Sequence, residues 1–135
     1  MKKFLILICT FVLLLSGCKK EEKSVLLLTS GQITPENYAA KQYKITFGAD
    51  ERIDFILYNP KPLKSNIVKI QVLKLESNGF ASGYSISYAR SIQIDNNLNY
   101  VTDYFYVHQK GSFVLRIFST DDFYTPVAEA QFTLE

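Results

Sequence analysis

Histidine, cysteine and tryptophan are scarce in this sequence of 135 residues, which contains one histidine, two cysteines and no tryptophan. A zinc site usually takes four Cys or His ligands, and a catalytic triad needs a nucleophile beside its imidazole. His108 has no such partner near it in the sequence, so we expect a surface loop residue. Glycine-rich phosphate loops and nucleophile elbows are also absent from the sequence. We therefore expect no catalytic residue, no metal and no cofactor, and a protein that is not an enzyme.

A net charge of one sign is missing as well. The formal charge of the whole chain is only +2. Residues 1–17 include Lys2 and Lys3 and no acid, so the rest of the chain carries 13 basic and 13 acidic side chains. A nucleic-acid-binding domain needs a basic surface, and so does a protein that anionic lipids hold by charge alone. We expect no nucleic-acid partner.

A hydrophobic run long enough to cross a membrane is the third absence. The N-terminal apolar run extends from Phe4 to Leu15 and is interrupted by Thr10. A helix of this length spans about 18 Å, whereas the hydrocarbon core of a bilayer is about 30 Å thick. Two lysines precede the run and two small residues follow it. This order is typical of a secretory signal peptide.

The tetrapeptide Leu15-Ser16-Gly17-Cys18 ends this segment and resembles the lipobox of bacterial lipoproteins. The resemblance covers residues 1–18. It implies that the chain is cut before Cys18 and that this cysteine carries fatty acids such as palmitate. Two or more acyl chains hold a protein stably on a bilayer. The resemblance therefore implies a membrane partner, reached through the lipid on Cys18. A plain secreted protein and a short core helix are the alternatives.

The resemblance divides the chain into a signal peptide (1–17), an acylated cysteine with its tether (18–24) and one domain (25–135). In lipoproteins of enteric-type bacteria, an Asp directly after the cysteine marks retention in the inner membrane. Lys19 stands there in this chain, which points to the outer membrane of the cell envelope and leaves its periplasmic or surface face open. With Cys9 removed and Cys18 acylated, no thiol remains for a disulfide, so the core alone must hold the fold.

Beyond residue 24 the apolar residues recur at every second position, which is typical of β-strands. We expect seven to nine short strands, and antiparallel pairing because no helical crossover separates them. The predicted strands are Val25–Thr29, Tyr43–Phe47, Ile53–Tyr58, Val68–Glu76, Tyr84–Ile94, Tyr100–Val107, Phe113–Phe118 and Ala128–Leu134. One helical turn is predicted over Pro35–Ala40, with Thr34 as its N-cap. The apolar positions change phase at Leu73, which predicts a bulge or a bend there.

Three C-terminal segments, 103–107, 110–117 and 126–134, resemble the last three strands of an immunoglobulin-like or fibronectin-like domain. Phe113 stands where antibody domains have their corner tyrosine, and Leu115 stands where they have a cysteine. These differences and the missing tryptophan exclude an antibody-type domain. The resemblance implies an all-β fold, an antiparallel immunoglobulin-like β-sandwich, and a lipocalin-like small barrel is the alternative.

Nine tyrosines are the functional signal that remains in the sequence. Tyr104 and Tyr106 alternate with inward residues, so we expect both to face outward. Tyr84 and Tyr88 are expected to share one face of their strand with Ile86. Tyrosine offers a rigid contact face and a polar tip, which suits recognition of a partner. These four tyrosines are the candidate partner-binding residues, although β-propensity alone also places Tyr on strands.

Two functions follow from these patterns. The first is a membrane-anchored lipoprotein of the cell envelope whose non-catalytic β-sandwich binds a protein partner or scaffolds an envelope assembly. The second is a lipoprotein that binds a small ligand or a carbohydrate in an aromatic-lined cavity. Most of the inward positions of the predicted strands carry Ile, Val, Leu or Phe. A core filled in this way favours the protein-binding function.

Overall fold

The computed structural model describes residues 22–77, 82–95 and 97–135, and these residues form eight strands and one short helix. The all-β class and the expected number of strands are confirmed. The strands are β1 (Val25–Ser30), β2 (Thr46–Phe47), β3 (Ile53–Tyr58), β4 (Ile67–Ser77), β5 (Ser82–Gln93), β6 (Tyr100–Phe105), β7 (Gly111–Ser119) and β8 (Ala128–Leu134). The helix is a 3-10 helix over Tyr38–Ala40, which lies in the second half of the predicted helical turn, and Asn37 rather than Thr34 precedes it.

The eight strands form two sheets rather than one closed barrel. The three-stranded sheet has the order β1-β3-β6, and the five-stranded sheet has the order β2-β8-β7-β4-β5. The inner faces of both sheets contribute to one buried cluster of hydrophobic side chains. Phe55 and Phe105 come from the smaller sheet, and Phe113 and Phe132 come from the larger one. The alternation of apolar and polar residues therefore places the core between the two sheets.

The expectation of purely antiparallel pairing was wrong for one strand. Strand β2 pairs parallel to β8, with Thr46 opposite Thr133 and Phe47 opposite Leu134. Just before β2 the chain still follows β1, since Tyr43 bridges to Thr29. The segment 43–47 thus leaves the edge of one sheet and joins the edge of the other. A strand that changes sheets needs no helical crossover to reach a parallel partner, so the five-stranded sheet is mixed.

A β-bulge in the hairpin of β4 and β5 overturns one predicted face. Val72 lies opposite Tyr88, but the next residue, Leu73, lies opposite Ile86, so Ser87 is the extra residue on β5. The predicted irregularity at Leu73 is confirmed. Because neighbouring residues of β4 point to opposite faces, Tyr88 lies on the inner face of the sheet and Ile86 on the outer face. The prediction that Tyr84, Ile86 and Tyr88 share one face was wrong.

The corner before β7 needs glycine. Gly111 has a φ of +137°, a backbone conformation that residues other than glycine rarely adopt. A Cβ atom at this position would also lie 3.3 Å from the Lys74 side chain. The predicted tight corner at Lys110-Gly111 therefore has a backbone reason. It starts β7 in the register that buries Phe113, Leu115 and Ile117.

Candidate functional site

Three of the four predicted tyrosines lie together on the open side of the molecule. The segment 43–47 joins the two sheets along one side, and strands β5 and β6 are the sheet edges along the other side. Tyr104 and Tyr106 are exposed, as predicted, and their rings meet edge to face with centroids 5.9 Å apart. Tyr88 reaches the same side from the inner face of β5, where it packs against the core. The Ser87 bulge is therefore what brings Tyr88 toward β6.

Two arginines complete this group. The Arg52 guanidinium lies 3.9 Å from the centre of the Tyr104 ring. The Arg90 guanidinium lies 5.8 Å from Tyr104 and 5.9 Å from Tyr88. Cations over aromatic faces within about 6 Å are attracted by the negative face of the ring. We call this set, Arg52, Tyr88, Arg90, Tyr104 and Tyr106, the Tyr-Arg surface.

Each arginine of the Tyr-Arg surface is matched by a carboxylate. Arg52 donates two hydrogen bonds of 2.9 Å to Asp54, which is only 3% exposed. Hydrogen bonding to Asp54 raises the pKa of Arg52 above its ordinary value. Arg90 donates to Asp103 and to the main-chain carbonyl of Tyr104, at 2.9 Å for the carbonyl. The two pairs fix the guanidinium planes, so the surface presents its arginines in set orientations.

A cleft of about 420 Å³ runs between β5 and β6 and is lined by Tyr88, Arg90, Tyr104, Tyr106 and His108, with four neighbours. His108 is exposed and contacts the Asp50 carboxylate through its Nδ1 atom. Tyrosine and arginine are the residue types that carry most binding energy in protein interfaces. The cleft offers aromatic faces and oriented donors, which are the groups of a binding surface.

Tyr84 lies elsewhere. It is 52% exposed on the outer face of the five-stranded sheet, beside the exposed Leu75. Its ring lies 5.1 Å from the Arg116 guanidinium, and Arg116 in turn donates to Glu129 at 3.1 Å. Of the four tyrosines predicted as one set, Tyr84 is therefore the one that the fold separates from the others.

A second cleft was missed by sequence reasoning. It measures about 430 Å³ and lies on the outer face of the three-stranded sheet. Four tyrosines contribute to its walls, together with apolar residues of β1 and β3: Tyr38, Tyr43, Tyr58, Tyr100, Val25, Leu27 and Ile56. The Tyr43 hydroxyl donates to the Tyr38 carbonyl at 2.6 Å. Burial raises the pKa of Tyr43, and the electrostatic effect of the neighbouring Tyr38 raises it further. We call it the tyrosine cleft.

The tyrosine cleft is formed by the register of two paired strands. Tyr58 ends β3 and Tyr100 begins β6, and the two residues are direct partners across the sheet. Neither tyrosine stands out in the sequence, because each belongs to a strand that is predicted by alternation alone. The pairing of two strands more than 40 residues apart brings them together, and no local pattern encodes that pairing.

The remaining predicted site features concern the N-terminus and metals. The signal peptide, the lipobox and Cys18 lie outside the described residues. Within residues 22–77, 82–95 and 97–135, no helix is both long and apolar enough to cross a membrane. The same residues contain no group of three or more His, Cys, Asp or Glu side chains that is arranged to hold a metal ion.

Comparison with known proteins gives a weak likeness to a solved structure. No model of a known family and no curated protein matches the chain. Among solved structures, the chain is similar to the Pseudomonas fluorescens alkylpurine DNA glycosylase AlkC bound to DNA containing an abasic site analog. The TM-score is 0.40 at 17% identity, and the match covers 82% of this chain. The chain spans 30% of the length of that glycosylase chain.

Proposed function

We propose that this chain is a lipid-anchored protein of the bacterial cell envelope whose non-catalytic β-sandwich binds a protein partner through the Tyr-Arg surface. The observation that carries the proposal is the grouping of three tyrosines and Arg90 around one cleft, with Arg52 packed over the Tyr104 ring. Aromatic and arginine side chains in such a cluster are typical of the centre of a protein interface. Both arginines have acidic neighbours, so contact would depend on aromatic faces and directed hydrogen bonds more than on net charge.

The strand order supports an immunoglobulin-like or fibronectin-like sandwich. Such domains have strands A, B and E in one sheet and C, F and G in the other. In chain order, β1, β3 and β6 correspond to the first set, and β4, β7 and β8 to the second. Strand β5 then lies beside C, as the additional strand of variable-type domains does. Domains of this class commonly serve as binding modules, so the fold proposal and the functional proposal agree.

The anchor is tested by Cys18→Ala. The unchanged protein is expected to incorporate a fatty-acid label and to sediment with membranes, because two or more acyl chains give stable attachment. The variant is expected to lose the label and to appear in the soluble fraction. Label on the variant would contradict the anchor. Protease added to intact cells then distinguishes the surface face of the outer membrane from the periplasmic face, with a periplasmic protein as control.

The binding surface is tested by a photo-cross-linking amino acid placed at position 106 or, as a matched control, at position 84. Both tyrosines are exposed, at 44% and 52%, but only Tyr106 lies on the Tyr-Arg surface. A discrete adduct in living cells is expected from position 106, and Tyr104→Ala is expected to weaken it by roughly tenfold or more, the effect of losing an interface anchor. Adducts from position 84 alone would contradict the proposed surface.

The tyrosine cleft supports a second candidate function, the binding of a small ligand. Its volume of about 430 Å³ lies within the range of about 300–1,000 Å³ that is usual for ligand pockets. Its apolar walls and tyrosine rings suit a flat, mostly apolar molecule. Native mass spectrometry of the purified protein is expected to show a bound mass that Tyr100→Ala reduces and Tyr84→Ala does not. A protein that carries no ligand from its own cells would contradict this candidate.

A further inference from the structure

The chain enters the domain at one end of the sandwich. Val25, the first residue of β1, pairs with Tyr58, the last residue of β3. Just before it, the Ser24 hydroxyl donates to the Asn59 side chain. Ser24, the last residue of the tether, is therefore fixed to the loop that joins β3 to β4. A lipid on Cys18 would therefore be connected to the domain at this end.

The loop between β7 and β8 lies at the same end. The Ser65 and Thr120 hydroxyls contact each other, which joins this loop to the loop between β3 and β4. The two loops also line one shared cleft of about 380 Å³. We call this part of the molecule the tether end, and it consists of Ser24, residues 59–66 and residues 119–127.

Two adjacent aromatic side chains project into solvent at the tether end. Phe123 is 56% exposed and Tyr124 is 97% exposed. Their turn is held by Asp122, whose carboxylate accepts from the Tyr124 N–H at 2.8 Å and from the Thr125 N–H at 3.1 Å. These backbone hydrogen bonds lower the pKa of Asp122. The aromatic pair is thus presented by an organised turn, although large apolar side chains are normally withdrawn from water.

The charges at the tether end nearly cancel. The two loops carry two exposed lysines, Lys61 and Lys64, and two exposed aspartates, Asp121 and Asp122. Glu22 and Lys23 directly precede Ser24, and Asp95 follows Ile94, whose N–H donates to the Asn66 carbonyl at this end. A basic patch that would attract anionic lipids is therefore not the basis of any contact here. Tyr, by contrast, favours the boundary between headgroups and hydrocarbon whatever the lipid charge, and Phe adds apolar surface that can be buried there.

The length of the tether decides what can cover this aromatic pair. Ser24 follows Cys18 by six positions. An extended chain spans at most about 3.6 Å per residue, so Ser24 stays within roughly 20 Å of the lipid. A bilayer that holds Cys18 is therefore always within reach of the tether end. A soluble partner would have to compete with that bilayer for the same narrow space.

We propose that the tether end rests on the bilayer that holds the Cys18 lipid, with Phe123 and Tyr124 at headgroup level. The proposal depends on the lipid anchor of the proposed function. It also orients the rest of the molecule. Ile53, at the other end of β3 from Tyr58, pairs with Phe105, so Tyr104, Tyr106 and Arg52 lie at the far end of the sandwich. The Tyr-Arg surface then faces away from the membrane and stays open to a partner.

The missing tryptophan makes a direct test available, because one introduced Trp is the only indole in the protein. The full lipidated protein carrying Tyr124→Trp is reconstituted into phosphatidylcholine vesicles that contain a brominated, quenching lipid. Tyr84→Trp is the matched control, since Tyr84 is exposed but lies toward the far end of the sandwich, beyond the Ser87 bulge. Emission from position 124 is expected to shift to the blue and to fall about twofold, as for an aromatic side chain at the membrane interface, with no change at position 84.

Flotation of the vesicles separates the two proposals. Protein that floats with the vesicles but shows no quenching at position 124 overturns the orientation and leaves the anchor standing. Equal quenching at both positions also overturns it, because the tether end would then lie no closer to the bilayer than the far end does. Protein that does not float overturns the anchor and the orientation together. Quenching that appears only when phosphatidylglycerol is added would replace the aromatic contact by a charge contact and would likewise overturn the proposal.

Discussion

Phe132 is the side chain at which the two sheets share one aromatic cluster. Its ring centre lies 5.7 Å from that of Phe105 in the other sheet, and 5.5 Å and 6.2 Å from those of Phe113 and Phe47 in its own. Each aromatic pair at such a separation contributes about 0.5–1.5 kcal/mol beyond the burial of its area. Residues 25–135 contain no cysteine, so no disulfide within them helps to hold the two sheets together.

Phe132→Ala is therefore expected to lower the free energy of unfolding by about 3–5 kcal/mol, the usual cost of removing a core phenylalanine. Urea denaturation measures it. Phe123→Ala, which shortens an exposed loop residue, is the control and is expected to cost about 0.5 kcal/mol or less. Equal losses in both variants would mean that the cluster is not the centre of the core.

Glu51 organises a polar cluster at the start of the segment that changes sheets. Its carboxylate accepts from Lys44 at 2.7 Å, from Ser30, and from the Gly48 N–H at 2.7 Å. Hydrogen bonding to Lys44, then to Ser30 and Gly48, lowers the pKa of Glu51 from 4.5 to about 2. Because the folded protein lowers this pKa, Glu51 stabilises the fold above about pH 4.5, and this contribution is lost as the pH falls toward 2.

Glu51→Gln is expected to lower the free energy of unfolding at pH 7 by about 1 kcal/mol or less, as is usual for partly exposed ion pairs. The difference between the variant and the unchanged protein should shrink as the pH falls from about 4.5 toward 2. Urea denaturation at a series of pH values measures this difference. A difference that stays constant over that range would show that the carboxylate charge is not the cause.

At the scale of the element, the bulge in β5 decides which residues can form a site. If Ser87 were paired like its neighbours and β5 had no bulge, Tyr84, Ile86 and Tyr88, which stand at every second position, would all lie on one face. With it, Tyr88 and Arg90 follow the inward positions of β4, opposite Val72 and Ile70. With this sequence, the Tyr-Arg surface therefore forms only because Ser87 is left out of the pairing with β4.

Deleting Ser87 is expected to leave a folded protein, because Tyr88 can stay opposite Val72 while Ile86 stays opposite Leu73. Deleting Ser91, in the regular part of β5, makes Arg90 and Ile92 adjacent, so one of them must leave the inner face, and either the Arg90–Asp103 pair or the packing of Ile92 on the core is lost. We expect the second deletion to cost about 1–3 kcal/mol more, the size of a broken buried contact. Chemical denaturation compares the two, and a larger loss for the Ser87 deletion would contradict the role of the bulge.

At the scale of the whole molecule, the two sheets are joined along one side and open along the other. The joined side depends on the C-terminus, because the Thr133 N–H donates to Ile45 at 2.8 Å and the Glu135 N–H donates to Phe47 at 3.0 Å. Leu134 is 2% exposed beside them. The open side carries the Tyr-Arg surface. This asymmetry leaves one long edge of the sandwich, formed by β5 and β6, unpaired with any other strand of the described residues.

Ending the chain at Phe132 is expected to destabilise the fold by more than Leu134→Ala, which by itself should cost about 2–5 kcal/mol. The truncation removes the same side chain and also the backbone partners of the segment 43–47. Thermal unfolding of both proteins measures the difference. Equal melting temperatures would mean that the parallel pairing contributes nothing beyond the burial of Leu134.

The sequence by itself determined the strands and most of their faces. Alternation is a local property, since successive side chains of a strand point to opposite sides. It therefore located β1, β3, β4 and β6–β8 closely, and it correctly turned Tyr104 and Tyr106 outward. The change of phase at Leu73 also indicated where the hairpin of β4 and β5 is irregular.

The tertiary structure alone decided which strands meet. The parallel pairing of β2 with β8 joins residues more than 80 positions apart, and the tyrosine cleft depends on the register of Tyr58 with Tyr100. The position of the bulge also depends on the tertiary structure, because the extra residue lies on β5 while the change of phase in the sequence lies on β4. Pairing between distant strands is chosen by how both sheets bury their inner faces at once, and a slip of one residue reverses every face. A local pattern records which residues are apolar, but it does not record their partners.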